Sequence, residues 1–130
     1  MDNLIVASSK YTPDIQMDVA GTISMVGKSY PENTFEFYTP VIAWLESFFL
    51  EKDIVNLTIT FEISYFNSSS SKLFFDFFDL LEAHSEEFTI SVNWLYDEDN
   101  ESAQEAGEDF IEDFETLDIK LIKKVISDDC

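Results

Sequence analysis

Residues 57–94 read LTITFEISYFNSSSSKLFFDFFDLLEAHSEEFTISVNW, and this stretch decides the fold class. Apolar and polar residues alternate along Leu57–Tyr65, which is the period of a half-buried strand. After a run of four serines, apolar residues recur at helical spacing along Leu73–Leu81. A second alternating segment follows at Phe88–Trp94. A strand, a helix and another strand in succession predict a parallel β–α–β unit.

The N-terminal segment extends this unit with a predicted β-hairpin. Ile15–Val19 and Ile23–Met25 each alternate in polarity, and Ala20-Gly21 between them predicts a two-residue turn. Leu4–Val6 predicts a short edge strand before the hairpin. The sheet is therefore expected to be mixed, with antiparallel strands first and parallel strands after them.

Two further helices and a last strand are predicted from caps and spacing. Asn33–Glu36 has the spacing of a capping box, and Pro40 lies where that helix either begins or is distorted. Ser102–Glu105 has the same spacing before an amphipathic helix, and Leu117–Leu121 predicts a final strand. We therefore expect residues 1–130 to form a single α/β domain, with a hairpin start and helices packed on a mixed sheet.

The composition excludes several classes of partner. The net charge is −20, with seven Lys and no Arg, so the chain lacks the basic surface that nucleic acid and anionic membranes require. Its longest apolar run is too short to cross a bilayer. The first residues, MDNLIVASSK, do not have the pattern of a signal peptide, so a cytoplasmic protein is expected.

The residue types needed for catalysis or metal binding are sparse. Cys130 is the only cysteine of the sequence and His84 is the only histidine, so neither a zinc cluster nor a Cys/His dyad can be built. The eleven acidic residues of Asp97–Asp118 predict a solvated helix face rather than a desolvated pair of carboxyl groups. We expect no catalytic residue, no metal site and no cofactor.

The serine run Ser68–Ser71 has two interpretations. Hydroxyls at the start of a helix cap its free N–H groups, and Ser69 or Ser70 is expected to serve as this cap, although four serines exceed what a cap needs. A phosphate on such a hydroxyl is stabilised by the same N–H groups and by the helix dipole. The run is therefore either a cap or a position for a regulatory phosphate.

Five motifs together carry a resemblance to a known family. They are SYPEN at 29–33, FYTPVIAWL at 37–45, YFNSSS at 65–70, FFDLLE at 77–82 and SVNWLYDEDNE at 91–101. In this combination the chain resembles the SiaC family of bacterial regulatory phosphoproteins, over about residues 10–115. The resemblance implies a STAS-like α/β fold and a role in signal transduction by partner switching.

The resemblance also implies the partners. In the SiaC family a serine/threonine kinase phosphorylates one hydroxyl residue and a PP2C-type phosphatase removes the phosphate. The unphosphorylated protein binds and activates a diguanylate cyclase, or a similar signalling enzyme, which promotes cyclic-di-GMP synthesis and biofilm formation. The expected protein is thus not itself an enzyme.

By the same resemblance, the phosphoacceptor follows the Asn after the aromatic pair that ends the strand. Here this Asn is Asn67 and the acceptor is Ser68, where the best-known member of the family has Thr; Ser69 is the second choice. Residues in these motifs are expected to bind partners: Asn67, Ser69, Tyr30, Asn33 and Asn93.

A different hypothesis is a self-associating structural or interaction protein without a phosphorylation switch. This hypothesis supposes that the thirteen Phe of the sequence exceed the need of one core. An exposed surplus of Phe would mark an interface between copies.

Overall fold

The computed structural model describes residues 2–51 and 56–124. These residues form six strands and three helices; Cys130 lies outside them. In chain order the elements are β1 (Leu4–Val6), β2 (Asp14–Asp18), β3 (Thr22–Ser29), α1 (Thr34–Glu51), β4 (Asn56–Phe66), α2 (Ser68–Ala83), β5 (Thr89–Asp97), α3 (Glu101–Asp113) and β6 (Asp118–Lys124).

The six strands form one mixed sheet in which spatial order follows chain order. β1, β2 and β3 are antiparallel, whereas β3 to β6 run parallel. The hairpin is confirmed, but its predicted two-residue turn is wrong. Because Asp18 pairs with Thr22, three residues connect the strands, and Gly21 adopts a φ of 105° that favours glycine.

All three helices pack on one face of the sheet. Each connects a strand to its parallel neighbour in the same direction, and right-handed crossovers then place the helices on one side. Burial agrees, because Leu57, Ile59, Phe61 and Ile63 of β4 are buried while the residues between them are at least partly exposed. We call the opposite side the open face. None of the three helices in the described residues is long and apolar enough to cross a membrane.

An aromatic core joins the sheet to α2. The ring of Phe61 lies 5.4–5.9 Å from those of Phe74, Phe77, Phe78 and Trp94, and all five side chains are buried. Each such burial stabilises the fold by about 1.5–3 kcal/mol. The core therefore holds α2 firmly on the sheet, and the position of its N-terminus follows from this packing.

Helix α1 begins at Thr34 and continues through Pro40. Of the two alternatives for this segment, the structure has the one in which proline lies inside the helix. The proline ring removes one N–H from the helical ladder. In the preceding turn, the Thr39 hydroxyl donates a hydrogen bond of 2.7 Å to the Phe35 carbonyl.

The N-termini of the three helices lie at the edge of the sheet where the parallel strands end, and an asparagine caps each one. The side-chain oxygens of Asn33, Asn67 and Asn100 accept hydrogen bonds of 3.0, 2.9 and 3.1 Å from the third backbone N–H that follows. The predicted cap at Asn33 is confirmed. The predicted cap at Ser102 is wrong, because α3 begins earlier and Ser102 is already inside it.

Candidate functional site

The turn between β4 and α2 is organised by Asn67. Its side-chain oxygen accepts the N–H of Ser70 at 2.9 Å and its carbonyl accepts that of Ser71 at 2.9 Å. Its own N–H donates to the carbonyl of Ser29, at the end of β3, at 3.1 Å. The cap of α2 is therefore the asparagine before the serine run, and the interpretation of Ser69 or Ser70 as the cap is wrong.

Burial divides the four serines of the run. Ser68 and Ser69 are exposed in the first turn of α2, whereas Ser71 is half-buried. The side chain of Ser70 has no exposed surface. Two of the four hydroxyls are thus open to a modifying enzyme and one is closed to it.

A chain of buried hydroxyls lies directly behind the exposed pair. The Ser29 hydroxyl lies 2.8 Å from that of Ser70 and 2.5 Å from that of Tyr38 in α1. Burial raises the pKa of Tyr38 to about 12, although the hydrogen bond with Ser29 works in the opposite direction. The phenol is therefore neutral at ordinary pH, and the network ties β3, α1 and α2 together behind the turn.

A β-bulge near the end of β4 changes which side chains face the core. Gly27 of β3 pairs with Ile63, but Lys28 pairs with Tyr65, so Ser64 is the extra residue on β4. After the bulge, Phe66 turns toward the helices and its ring lies 5.4 Å from that of Phe74. The alternation in the sequence predicted Tyr65 inside, but Tyr65 is 52% exposed, on the open face.

Three tyrosines meet beside the turn, and we call them the tyrosine cluster. The ring of Tyr30 lies 5.2 Å from that of Tyr11 and 5.5 Å from that of Tyr65, in edge-to-face contacts. The backbone N–H of Tyr30 donates to the Tyr11 carbonyl at 2.8 Å, which holds the N-terminal loop against the end of β3. The cluster and the exposed serines thus occupy neighbouring parts of one edge.

The structure brings most of the predicted partner-binding residues to this edge. Asn67 and Ser69 form the turn itself, Tyr30 belongs to the tyrosine cluster, and Asn33 caps α1. Because Asn67 uses its side-chain oxygen as a cap, its amide NH₂ group is the part left for other partners. The amide NH₂ group of Asn33 instead donates to the Glu36 carboxylate at 3.1 Å, which completes the capping box.

Asn93 lies apart from the others. It is in the middle of β5, half-buried, opposite Thr60 of β4. Phe66, at the end of β4, lies six steps along the strand after Thr60, which corresponds to about 20 Å. Ser29 and Tyr38 lie within two of the five motifs, but the sequence did not indicate that they belong to the site, because their contacts join segments that are distant along the chain.

The described residues offer little for catalysis or metal binding. No group of three or more His, Cys, Asp or Glu side chains comes together within residues 2–51 and 56–124. His84 ends α2 and its ring stacks on that of Phe49, with centroids 4.1 Å apart. The contact of His84 is therefore a packing contact with α1.

Comparison with known proteins identifies the family. A model of the SiaC family of regulatory phosphoproteins matches residues 6–124. The chain belongs to the SiaC family. An uncharacterized protein of Pseudomonas aeruginosa (strain UCBPP-PA14) is 41% identical over 115 residues, which cover 87% of this chain and 90% of the relative. The resemblance that the five motifs indicated is confirmed.

Two crystal structures extend the comparison with the SiaC family. Apo-SiaC from P. aeruginosa is 35% identical with a TM-score of 0.83, and the match covers 94% of this chain and 99% of that one. The second structure is the complex of the diguanylate cyclase SiaD with its activator SiaC, also from P. aeruginosa. The matching chain of this complex is 37% identical with a TM-score of 0.86, and the match covers 93% of this chain and 99% of that one. These matches confirm the predicted α/β fold.

Proposed function

We propose that this SiaC-family protein is a non-enzymatic switch controlled by phosphorylation. In its unphosphorylated form it binds and activates a diguanylate cyclase. A serine/threonine kinase adds the phosphate and a PP2C-type phosphatase removes it. Two findings support the proposal: the family consists of regulatory phosphoproteins, and the related SiaC is the activator of the cyclase SiaD. Because such a kinase uses ATP, the proposal includes a cytoplasmic location.

The observation that carries this proposal is the exposure of two serines at the start of α2. Ser68 and Ser69 are exposed, while Ser70 is buried in the hydroxyl network. A phosphate on either exposed serine would lie at a helix N-terminus, where free N–H groups and the helix dipole favour negative charge. Ser68 directly follows Asn67, as the family pattern requires of the acceptor, and Ser69 is the second choice.

The phosphate would act locally. It adds a charge of about −1.5 to −2 at neutral pH, which changes the overall field of a chain at −20 only slightly. At a contact surface, however, the same charge must be desolvated and repels nearby carboxylates. We therefore expect phosphorylation to weaken the complex with the cyclase while the fold stays intact.

Phosphorylation in vitro tests the acceptor. The wild-type protein, Ser68→Ala and Ser69→Ala are each incubated with the cognate kinase and ATP, and phosphopeptides are mapped by mass spectrometry. We expect one phosphate, which Ser68→Ala removes and Ser69→Ala retains. The absence of phosphate from both serines of the wild-type protein would sink the proposal.

Binding to the cyclase tests the switch. Ser68→Asp places a negative charge at the proposed acceptor, and Ser71→Asp places the same charge one turn further along at a half-buried position. Titration calorimetry with purified SiaD from P. aeruginosa, followed by its cyclase activity, should show a much larger loss for Ser68→Asp. Equal losses would count against a switch centred on Ser68.

Self-association remains the alternative function. Nine of the thirteen Phe are buried in the core, and only Phe35 and Phe75 are exposed beyond a third of their surface. The ring of Phe75 also packs 4.8 Å from that of Phe114. This distribution offers little surplus for a Phe-rich interface. Light scattering of the purified protein decides the alternative, which a strict monomer would exclude.

A further inference from the structure

Two lysines flank the tyrosine cluster, one from the loop before β2 and one from β3. The ammonium group of Lys10 lies 5.7 Å from the ring centroid of Tyr11. Lys28 pairs in register with Tyr65, so both side chains leave the sheet on the same face. Lys10 and Lys28 are exposed. We call these two lysines and the three tyrosines the Tyr–Lys patch.

Two irregularities of the backbone lie next to Tyr65 in this patch. The bulge at Ser64 turns Tyr65 out of the core, and Gly27 beside it has a φ of 133°, a value that other residues rarely adopt. Tyr65 and Tyr11 remain 52% and 47% exposed. Exposed tyrosines held in place by mutual contacts are typical of residues that dominate protein interfaces.

The charge of the patch differs from that of most of the surface. The chain has 27 acidic residues and seven lysines, and two of those lysines lie here. The nearest acids in register on the open face are Asp14 and Glu62, which both pair with Val26. Glu62 is bound by Lys124 at 2.6 Å. An acidic segment that most of this acidic surface repels can therefore approach at the patch. The other exposed lysines of the sheet, Lys120, Lys123 and Lys124 of β6, lie away from the tyrosine cluster.

The patch adjoins the proposed phosphoacceptor. Lys28 immediately precedes Ser29, whose carbonyl accepts the N–H of Asn67, and Ser68 is the next residue. Tyr65 lies three residues before Ser68 on the same strand-to-helix connection. A phosphate on Ser68 would thus add its negative charge at the end of β3 from which the Lys28 side chain extends.

We infer that the Tyr–Lys patch is the docking surface for a segment of the cyclase that carries Asp or Glu beside an apolar side chain. The tyrosines cover the apolar side chain and Lys28 pairs with the carboxylate. A phosphate on Ser68 then competes with that carboxylate for Lys28 and repels it. This inference rests on the proposed function and names the surface and the chemistry through which it acts.

Charge reversal on one face of the sheet tests the inference. Lys28→Glu reverses the charge within the patch. Lys120→Glu makes the same change at another exposed lysine of the sheet, on β6 opposite Asn93, and is the matched control. Binding of the full chains to purified SiaD is measured by titration calorimetry. We expect a loss of affinity of about tenfold or more for Lys28→Glu and for Tyr65→Ala, and little change for Lys120→Glu.

The outcomes separate the two proposals. If the wild-type protein binds SiaD and Lys28→Glu binds as well as Lys120→Glu does, the patch is not the docking surface, while the proposed function stands. If the wild-type protein itself does not bind or activate SiaD, the proposed activation of a cyclase of this kind is contradicted.

A second measurement tests the competition without any partner. Phosphoserine is encoded genetically at position 68, and the phosphate is titrated by ³¹P NMR. A nearby ammonium group favours the dianion, so Lys28→Gln should move the titration midpoint to higher pH. Lys120→Gln should leave it unchanged. Identical midpoints in the wild-type protein and in Lys28→Gln would overturn the contact between Lys28 and the phosphate.

Discussion

The hydroxyl of Ser70 lies 2.8 Å from that of Ser29, across 41 residues of chain, and neither side chain has exposed surface. The contact pins the first turn of α2 to the end of β3. The bond from the N–H of Asn67 to the Ser29 carbonyl reinforces it. Ser70 is therefore part of the scaffold, and Ser68 and Ser69 are presented on it.

Removing the central hydroxyl of this network should cost more than removing a peripheral one. Ser29→Ala leaves the hydroxyls of both Ser70 and Tyr38 without their partner, at about 2–3 kcal/mol, whereas Ser70→Ala loses one hydrogen bond, at about 1 kcal/mol. Ser69→Ala is the exposed control and should stay within about 0.5 kcal/mol. Urea denaturation measures all three. A cost for Ser69→Ala equal to that of Ser29→Ala would contradict the division of the run by burial.

The cap of α2 is a second test. Asn67→Ala removes the oxygen that accepts the N–H of Ser70 and should cost about 1 kcal/mol of stability. Asn67→Asp keeps an oxygen at the same place and should cost much less. Thermal unfolding followed by circular dichroism compares the two variants. If Asn67→Ala is as stable as the wild-type protein, the capping bond does not stabilise α2.

Gly107 should resist replacement by alanine although alanine is the better helix former. A Cβ atom at this position would lie 2.6 Å from Cδ1 of the buried Trp94 and 3.0 Å from Cδ2 of Leu121. Overpacking of this kind costs about 1–3 kcal/mol and exceeds the gain in helix propensity of about 1 kcal/mol. We expect Gly107→Ala to lower the urea midpoint and to change the Trp fluorescence. Ser102→Ala, at an exposed position of α3, is the control, and a stabilised Gly107→Ala would refute the close approach.

The pKa of Tyr38, raised to about 12, predicts a loss of stability at high pH. In the unfolded chain a tyrosine titrates near its usual value of about 10, so the unfolded state releases its proton first. The stabilisation is complete below pH 10 and is lost as the pH rises through about 12, by roughly 2–3 kcal/mol. Urea denaturation from pH 9 to 12 should show a steeper decline for the wild-type protein than for Tyr38→Phe. Parallel declines would show that Tyr38 is not responsible.

Most of the fold follows from the sequence. Periods of two and of about 3.6 residues placed every strand and helix, and the order of the elements led to the mixed sheet. Two of the errors concern the polar side chains that cap helices. Ser102 has the spacing of a cap, but Asn100, two residues earlier, takes that role because its oxygen reaches the N–H of Ala103. Several nearby side chains can satisfy the same N–H groups, so spacing alone does not select one.

The candidate site was only partly predictable. The resemblance to the SiaC family singled out the motif around Asn67 and Ser68, and the structure places this motif at the turn between β4 and α2. The alternation along β4 placed Tyr65 in the core, because a single extra residue at Ser64 reverses every side chain after it. The extra residue can be recognised only from the pairing of β4 with β3, because the alternation along β4 continues unbroken in the sequence.

The sequence by itself determined the α/β class, the asparagine and serines at the strand-to-helix turn, and the strongly acidic character of the surface. These properties depend on residues within a few positions of one another, or on totals over the chain. Only the tertiary structure decided that Ser70 is buried while Ser68 and Ser69 are exposed, and that three tyrosines meet beside them. The reason is physical: burial and edge-to-face contact depend on which distant segments the sheet brings together, and Ser29, Tyr11 and Tyr30 reach this edge only through the pairing of β2, β3 and β4.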